Sequence, residues 1–94
     1  MARILADPMN ALERSLAAFR EKRSQLAARH ESATQAAVAA HDQRREALLN
    51  SPVDASAIAK ADRLVVETGA SKLGLEDALA SLDQQIGDAE RSLA

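Results

Sequence analysis

The sequence contains no cysteine, tryptophan or tyrosine, and Phe19 is its only aromatic residue. Without cysteine there is no disulfide framework, no thiolate nucleophile and no zinc–thiolate site. The shortage of aromatic rings matters because these side chains supply much of the buried area in a small core. A chain of 94 residues is also near the size at which a single core becomes thin. We therefore expect one domain, residues 1–94, in which long helices gather the apolar surface by pairing.

Long apolar runs are missing as well. The opening segment "MARILADPMN" has only three apolar residues between Arg3 and Asp7, which is too few for the core of a signal peptide. No later stretch approaches the length of a membrane span. The sequence therefore predicts a soluble, cytoplasmic protein without membrane association, and secretion without a cleaved signal stays open.

Proline occurs twice, and both positions resemble helix starts. Pro8 follows Asp7 and Pro52 follows Ser51, so each proline suits the first helical position with the preceding residue as its cap. Asp54 gives the second start a capping-box-like spacing. Pro52 also cannot continue a preceding helix, because its ring clashes with the carbonyl four residues back. The predicted elements are helix 1 over about 8–49, a turn over about 50–52 and helix 2 over about 52–92.

Both predicted helices carry apolar residues at alternating spacings of three and four, the pattern of a coiled coil. An antiparallel fold pairs Phe19 with Ile86 and Leu26 with Leu79, residue numbers that sum to 105, and places the reversal between Pro52 and Val53. The sequence therefore predicts an all-α, antiparallel two-helix coiled-coil hairpin. The intra-hairpin seam consists of Leu12, Leu16, Phe19, Leu26, Ala33, Ala37, Ala40, Ile58, Val65, Leu75, Leu79, Leu82, Ile86 and Leu93.

Two alternatives to this register stay open. The heptad phase also continues through Ser51 and Asp54, so a kinked continuous helix fits the pattern. Pairings that sum to 98 or 112 obey the same apolar rule. Charge favours the hairpin, because residues 1–50 hold eight Lys/Arg against six Asp/Glu and residues 51–94 hold four against eight. In the favoured register Arg20 lies near Asp83 and His41 near Asp62.

Five polar residues interrupt the seam, and they either specify its register or extend their stems toward solvent. They are Arg23, His30, Arg44, Thr68 and Lys72. The alanine-rich run from Ala33 to Ala40 faces Gly69, where small side chains allow close approach of the backbones. Alanine's helix propensity explains the same run equally well.

Several large apolar residues lie off the seam, and a lone hairpin would expose them. They are Val38, Leu48, Leu49, Leu64, Val66 and Leu73. Their burial requires a second interface, and a homodimer of hairpins forming a four-helix bundle is the simplest solution. A different partner protein would cover the same surface.

No residue pattern indicates catalytic, cofactor or metal chemistry. His30 and His41 are eleven residues apart on a helix, about 16 Å along its axis, so one metal ion cannot bind both. Two long helices supply no concavity for a tuned acid or base. The glycines Gly69, Gly74 and Gly87 follow no phosphate-loop spacing; we expect close packing at Gly69 and local softness at the other two.

These observations predict a non-enzymatic structural or protein–protein interaction protein that self-associates and acts in a larger assembly, such as a phage or secretion apparatus. The alternative is a small regulatory or nucleic-acid-associated protein that uses the Arg-rich face of helix 1, which includes Arg20, Arg23 and Arg29. Nucleic-acid binding is the weaker hypothesis, because Glu21 and Glu31 interleave with these cations and the whole chain has a net charge of −2.

Overall fold

A computed structural model describes residues 8–94, with side chains from residue 10 onward. Two long helices make up this range: α1, Pro8–Leu49, and α2, Ala55–Leu93. They pack against each other as a hairpin, and residues 8–94 contain no strand. The all-α hairpin is therefore confirmed and the continuous kinked helix is excluded. The predicted cap at Asp7 lies outside the described residues.

The hairpin is a single layer of two helices. Its principal extents are 76 × 22 × 14 Å, and one helix with its side chains is about 10–12 Å across. The width therefore accommodates two helices and the thickness only one. No third element among residues 8–94 covers either broad face.

The buried residues lie along one seam between the helices. Four of the six are alanines, whose small side chains are fully covered between two helices, whereas longer side chains reach the rim of the seam. The six are Leu16, Ala40, Ala47, Ala61, Leu82 and Ala89. The described seam positions that the 3-4 pattern selects, polar ones included, are all buried or half-buried.

The threonine hydroxyls near the seam form hydrogen bonds to backbone carbonyls of their own helix. The Thr68 hydroxyl donates to the Leu64 carbonyl at 2.7 Å, and the Thr34 hydroxyl donates to the His30 carbonyl at 2.9 Å. A polar group at a half-buried position costs free energy unless it is bonded. Thr68 therefore fits the seam without a partner on α1.

The prediction for the start of the second helix is wrong by three residues. α2 begins at Ala55, and its cap is Asp54 instead of Ser51. The Asp54 carboxylate accepts from the backbone N–H groups of Ser56 at 3.0 Å and Ala57 at 3.2 Å. A carboxylate there also interacts favourably with the positive end of the helix dipole.

The turn therefore spans 50–54 instead of 50–52. Its first residue, Asn50, donates its backbone N–H to the Glu46 carbonyl at 3.0 Å and so completes the last turn of α1. The Ser51–Pro52 peptide bond within the turn is cis. Five residues are a common length for the loop of an αα-hairpin. The other end of α2, Leu93, lies one residue beyond the predicted end.

Candidate interaction surface

Ion pairs between α1 and α2 form a ladder with heptad spacing. Arg23 donates to Asp83 through Nε at 2.5 Å and Nη2 at 3.3 Å. Seven residues further along α1 and seven back along α2, His30 Nε2 lies 3.0 Å from the Glu76 carboxylate. Because α1 and α2 run in opposite directions, paired residue numbers sum to 106 on each of these rungs.

Arg44 and Asp62 lie two heptads beyond His30 and Glu76, keep the sum of 106 and are 4.0 Å apart. Arg20 donates to Glu90 at 2.8 Å; Glu90 keeps the heptad spacing of α2, whereas Arg20 lies three residues from Arg23 and outside the heptad spacing of α1. The four carboxylates occupy one side of α2, because residues seven apart share a helix face. We call the broad side of the hairpin that carries them the ladder face.

The ladder explains why charged residues stand in the seam. Arg23, His30 and Arg44 are half-buried, so each lays its stem in the seam and carries its charged or polar end to a carboxylate on the rim. The carboxylates that were predicted to attract Arg20 and His41 are instead bound by seam arginines. Asp83 is bound by Arg23, and Asp62 lies with Arg44. The prediction was wrong because it paired only the flanking positions with each other.

Hydrogen bonding at the first rung alters both titrating groups. The bonds from Arg23 lower the pKa of Asp83 below its ordinary value of 3.8; partial burial opposes this shift, and the guanidinium charge adds a smaller lowering effect. The same bonds raise the pKa of Arg23 above its ordinary value. Both side chains are about half exposed, so this rung favours one register more than it adds to stability.

One rung of the ladder is blank. The heptad step from Arg23 and His30 reaches Ala37 before Arg44, and the matching step along α2 reaches Gly69 between Glu76 and Asp62. Neither residue carries a charge or a long side chain. We call this position the gap.

The largest exposed apolar side chains away from the turn surround the gap. Val66 and Leu73 lie three residues before and four residues after Gly69, so the three share one stripe of α2. The exposed fractions are 70% for Val66, 60% for Leu73 and 58% for Val38 on α1. These values describe an apolar patch open to solvent on the ladder face.

The structure does not place Gly69 in close packing, contrary to prediction. A Cβ built at Gly69 would meet nothing within 4 Å, and the same holds at Gly74. A glycine inside a helix costs about 1 kcal/mol relative to alanine. Close contact within the hairpin therefore does not explain Gly69, which leaves an open notch in the middle of the patch.

A second group of exposed apolar residues lies at the turn. The exposed fractions are 77% for Leu49, 54% for Leu48 and 68% for Val53. Val53 was not among the predicted interaction residues, because the turn was interpreted only as a break between helices. The signal that could have identified it was an apolar residue at the tip of the turn. Of the six off-seam residues predicted to interact, Leu64 differs from the rest, since it is half-buried against the seam.

The opposite broad side of the hairpin is a shallow groove of small residues. An open depression of about 620 Å³ lies between Ala28 and Ser32 of α1 and Ser71 and Gly74 of α2. A neighbouring depression of about 420 Å³ shares Ser32 and Ser71 with it. We call this side the groove face. Its lining has little to position a reacting group, because it consists mainly of methyl and hydroxyl side chains.

Four of the seven Lys and Arg side chains of α1 lie within 4.0 Å of a carboxylate. Arg20, Arg23 and Arg44 contact carboxylates of α2, and Arg45 donates to Asp42 at 3.0 Å within α1. Arg29 borders the groove. The Arg-rich face predicted from the sequence is therefore interleaved with acidic groups from the second helix.

Neither histidine lies within a cluster suited to a metal. His30 contacts only one carboxylate, Glu76, and His41 is exposed. No group of three or more potential metal ligands occurs in residues 8–94. Within the same range, neither helix contains a stretch long and apolar enough to cross a lipid bilayer.

Comparison of the chain with protein-family models, with curated proteins and with solved structures gave no match. The functional interpretation therefore depends on the geometry of the hairpin itself.

Proposed function

We propose that this chain is a non-enzymatic interaction protein: a coiled-coil hairpin that self-associates into a four-helix bundle and serves as a building element of a larger assembly. The observation that carries the proposal is the uncovered apolar surface on a layer one helix thick. At 14 Å the hairpin has no second layer, and Val38, Val66 and Leu73 remain more than half exposed.

The size of the seam supports association. The buried side chains are mostly alanine, and each buried CH₂ group contributes only about 0.8 kcal/mol. Stable domains normally pack two or more layers around one core. A second hairpin supplies the missing layer and covers the exposed valines and leucines.

The open form of the grooves among residues 10–94 supports a binding role over catalysis. The grooves along the hairpin are open and lined mainly by small residues such as Ser32, Ser71 and Gly74. Catalytic sites hold an acid, base or nucleophile in a sheltered concavity. Asp83, the carboxyl group whose pKa is lowered, is half exposed on the rim and bound to an arginine.

The alternative function, binding of nucleic acid through α1, has less support. Phosphate binding needs cations that are free to replace counterions, and three arginines of α1 already face carboxylates of α2. A gel-shift assay at low salt tests it, and retardation of DNA or RNA that weakens with salt would favour this alternative over the main proposal.

Light scattering coupled to size-exclusion chromatography tests self-association directly. A chain of 10.0 kDa should elute with twice that mass as a dimer. A mass that stays at 10.0 kDa up to millimolar concentration, with full helicity by circular dichroism, would contradict the proposal.

A further inference from the structure

We propose that two copies of the chain pack through their ladder faces around a twofold axis parallel to the long axis of the hairpin. Both turns then lie at the same end, and α1 of each copy lies on α2 of the other. This inference rests on the proposed self-association and adds the face, the orientation and the contacts. The partner to which it commits is a second copy of this chain.

The gap selects the face. Val66, Gly69 and Leu73 form one stripe of α2, and Val38 is the exposed apolar residue of α1 in the same region. Nothing lies within 4 Å of a Cβ built on Gly69, so the notch has room for a side chain from outside the hairpin. The groove face has no exposed large apolar residue among residues 10–94.

The heights of the two valines are compatible with this orientation. Residues whose numbers sum to about 106 lie at the same height along the hairpin, as the rungs Arg23–Asp83 and His30–Glu76 define it. Val38 and Val66 therefore lie at nearly the same height, one on each helix. An axis along the hairpin exchanges left and right while it preserves height, so Val38 of each copy meets Val66 of the other.

Charge selects the same orientation. α1 holds seven Lys/Arg against five Asp/Glu, a net charge of +2, and α2 holds four against seven, a net charge of −3. A twofold axis along the hairpin stacks helices of opposite charge, whereas an axis across it stacks each helix on its own copy. Stacking helices of opposite net charge makes the facing surfaces electrostatically complementary. The same axis keeps every neighbouring pair of helices antiparallel, as in common four-helix bundles.

One new ion pair follows from this arrangement. Lys72 is half-buried in the seam, and residues 10–94 offer it no carboxylate within 4 Å. Glu31 is exposed, and its partner within the hairpin is the neutral amide of Gln35 at 3.2 Å. Glu31 and Lys72 lie at nearly the same height on opposite helices, so the twofold axis brings each one toward the other residue of the second copy.

Charge reversal tests this contact. Lys72→Glu and Glu31→Lys should each weaken dimerisation about tenfold, because every dimer contains the contact twice. The double variant should recover most of the loss. Analytical ultracentrifugation measures the dimerisation constant of each variant. The inference is wrong if the double variant loses as much dimer affinity as the two single variants lose together.

Distances between labels test the orientation, and the lack of cysteine makes single labelling sites clean. A spin label at Val53→Cys should show a separation below about 30 Å between copies, because both turns lie at one end. With an axis across the hairpin at the height of Val66, the same labels would be about 40 Å apart, because Val53 lies about 20 Å from Val66 along the helix axis. A label at Ser92→Cys should also give a short separation.

The face is tested by a matched pair of exposed sites. Val66→Glu should lower the dimerisation constant at least about tenfold, whereas Ser71→Glu on the groove face should leave it within about twofold. Circular dichroism of both variants checks that the hairpin is intact. If both variants dimerise normally with long label distances, the inference is wrong while self-association stands; if the unmodified chain is monomeric, both fail.

Discussion

The two broad faces of the hairpin differ in what they bring together. The ladder face carries three arginine–carboxylate ion pairs between the helices, the His30–Glu76 contact and the large exposed side chains Val38, Val66 and Leu73. The groove face carries serines, alanines and Gly74, and its depressions are open. The seam beneath both faces is the same. The difference teaches that the contacts that align the helices and the exposed apolar side chains away from the turn lie on the same side of the hairpin.

The largest effect should come from the seam that both faces share. Leu82 is buried, whereas Leu73 on the ladder face is 60% exposed. Leu82→Ala should destabilise the hairpin by about 2–5 kcal/mol, because it removes buried methyl groups and leaves a cavity. Urea unfolding followed by circular dichroism measures this loss.

Leu73→Ala is the matched control for the seam. Below the concentration at which the chain associates, it should change the free energy of unfolding by less than about 0.5 kcal/mol. At high concentration it should lower stability through the lost dimer contact. A loss as large as that of Leu82→Ala at low concentration would show that Leu73 belongs to the core of one hairpin.

The two competing caps should differ by a smaller amount. Asp54→Ala should cost about 1 kcal/mol, because the carboxylate satisfies the N–H groups of Ser56 and Ala57. Ser51→Ala should be nearly neutral, since α2 does not begin there. Thermal unfolding of both variants measures the difference. Equal losses would place the start of α2 at the earlier residue.

The two open glycines compare the faces directly. Gly74→Ala should stabilise the hairpin by up to about 1 kcal/mol, because alanine is the better helix former and its Cβ meets no atom within 4 Å. Gly69→Ala should give the same gain in the dilute monomer and a smaller one in the dimer, where the notch is occupied. Chemical unfolding at two protein concentrations separates the two cases.

Removal of an ion pair from the ladder should give the smallest change in stability, and this change should depend on pH and salt. The lowered pKa of Asp83 means that its contribution is present above the ordinary value of 3.8 and is lost as the pH falls through the lower folded-state value. Asp83→Asn should therefore be slightly less stable than the unmodified chain at pH 7 and equal to it near pH 2.

Asp77→Asn is the control for the ladder, because Asp77 is exposed and forms no ion pair among residues 10–94. It should leave the melting temperature at pH 7 within error. Salt at 1 M should shrink the difference between Asp83→Asn and the unmodified chain. A difference that persists at pH 2 would show that Asp83 acts through packing instead of charge.

Much of the hairpin could be predicted because a period of 3.5 residues over forty residues is hard to satisfy by chance. The apolar pattern placed Leu16, Ala40 and Leu82 between the helices, where the structure buries them. The end of α1 at Leu49 follows from the proline three residues later. The alternation of three- and four-residue apolar spacings could not choose among registers seven residues apart, because every shift by one heptad preserves this alternation.

The apolar spacing could not predict the first residue of α2, because two residues can cap this helix. Ser51 and Asp54 both accept hydrogen bonds from a helix start, and Asp54 has the stronger acceptor and a favourable charge. The partners of the ladder were also missed. An arginine in a seam position extends about four bonds beyond its Cβ, so its partner depends on the path of its stem, which spacing alone does not give.

The blank rung between Ala37 and Gly69 makes the alignment of the two helices unique. In the observed register three charged rungs match and the two uncharged residues face each other. A slip of seven residues in one direction sets Arg44 against Gly69 and leaves Glu76 facing Ala37; a slip in the other sets His30 against Gly69 and Asp62 against Ala37. Of these three registers, only the observed one gives every polar seam residue of the ladder a carboxylate partner and pairs the two uncharged residues with each other.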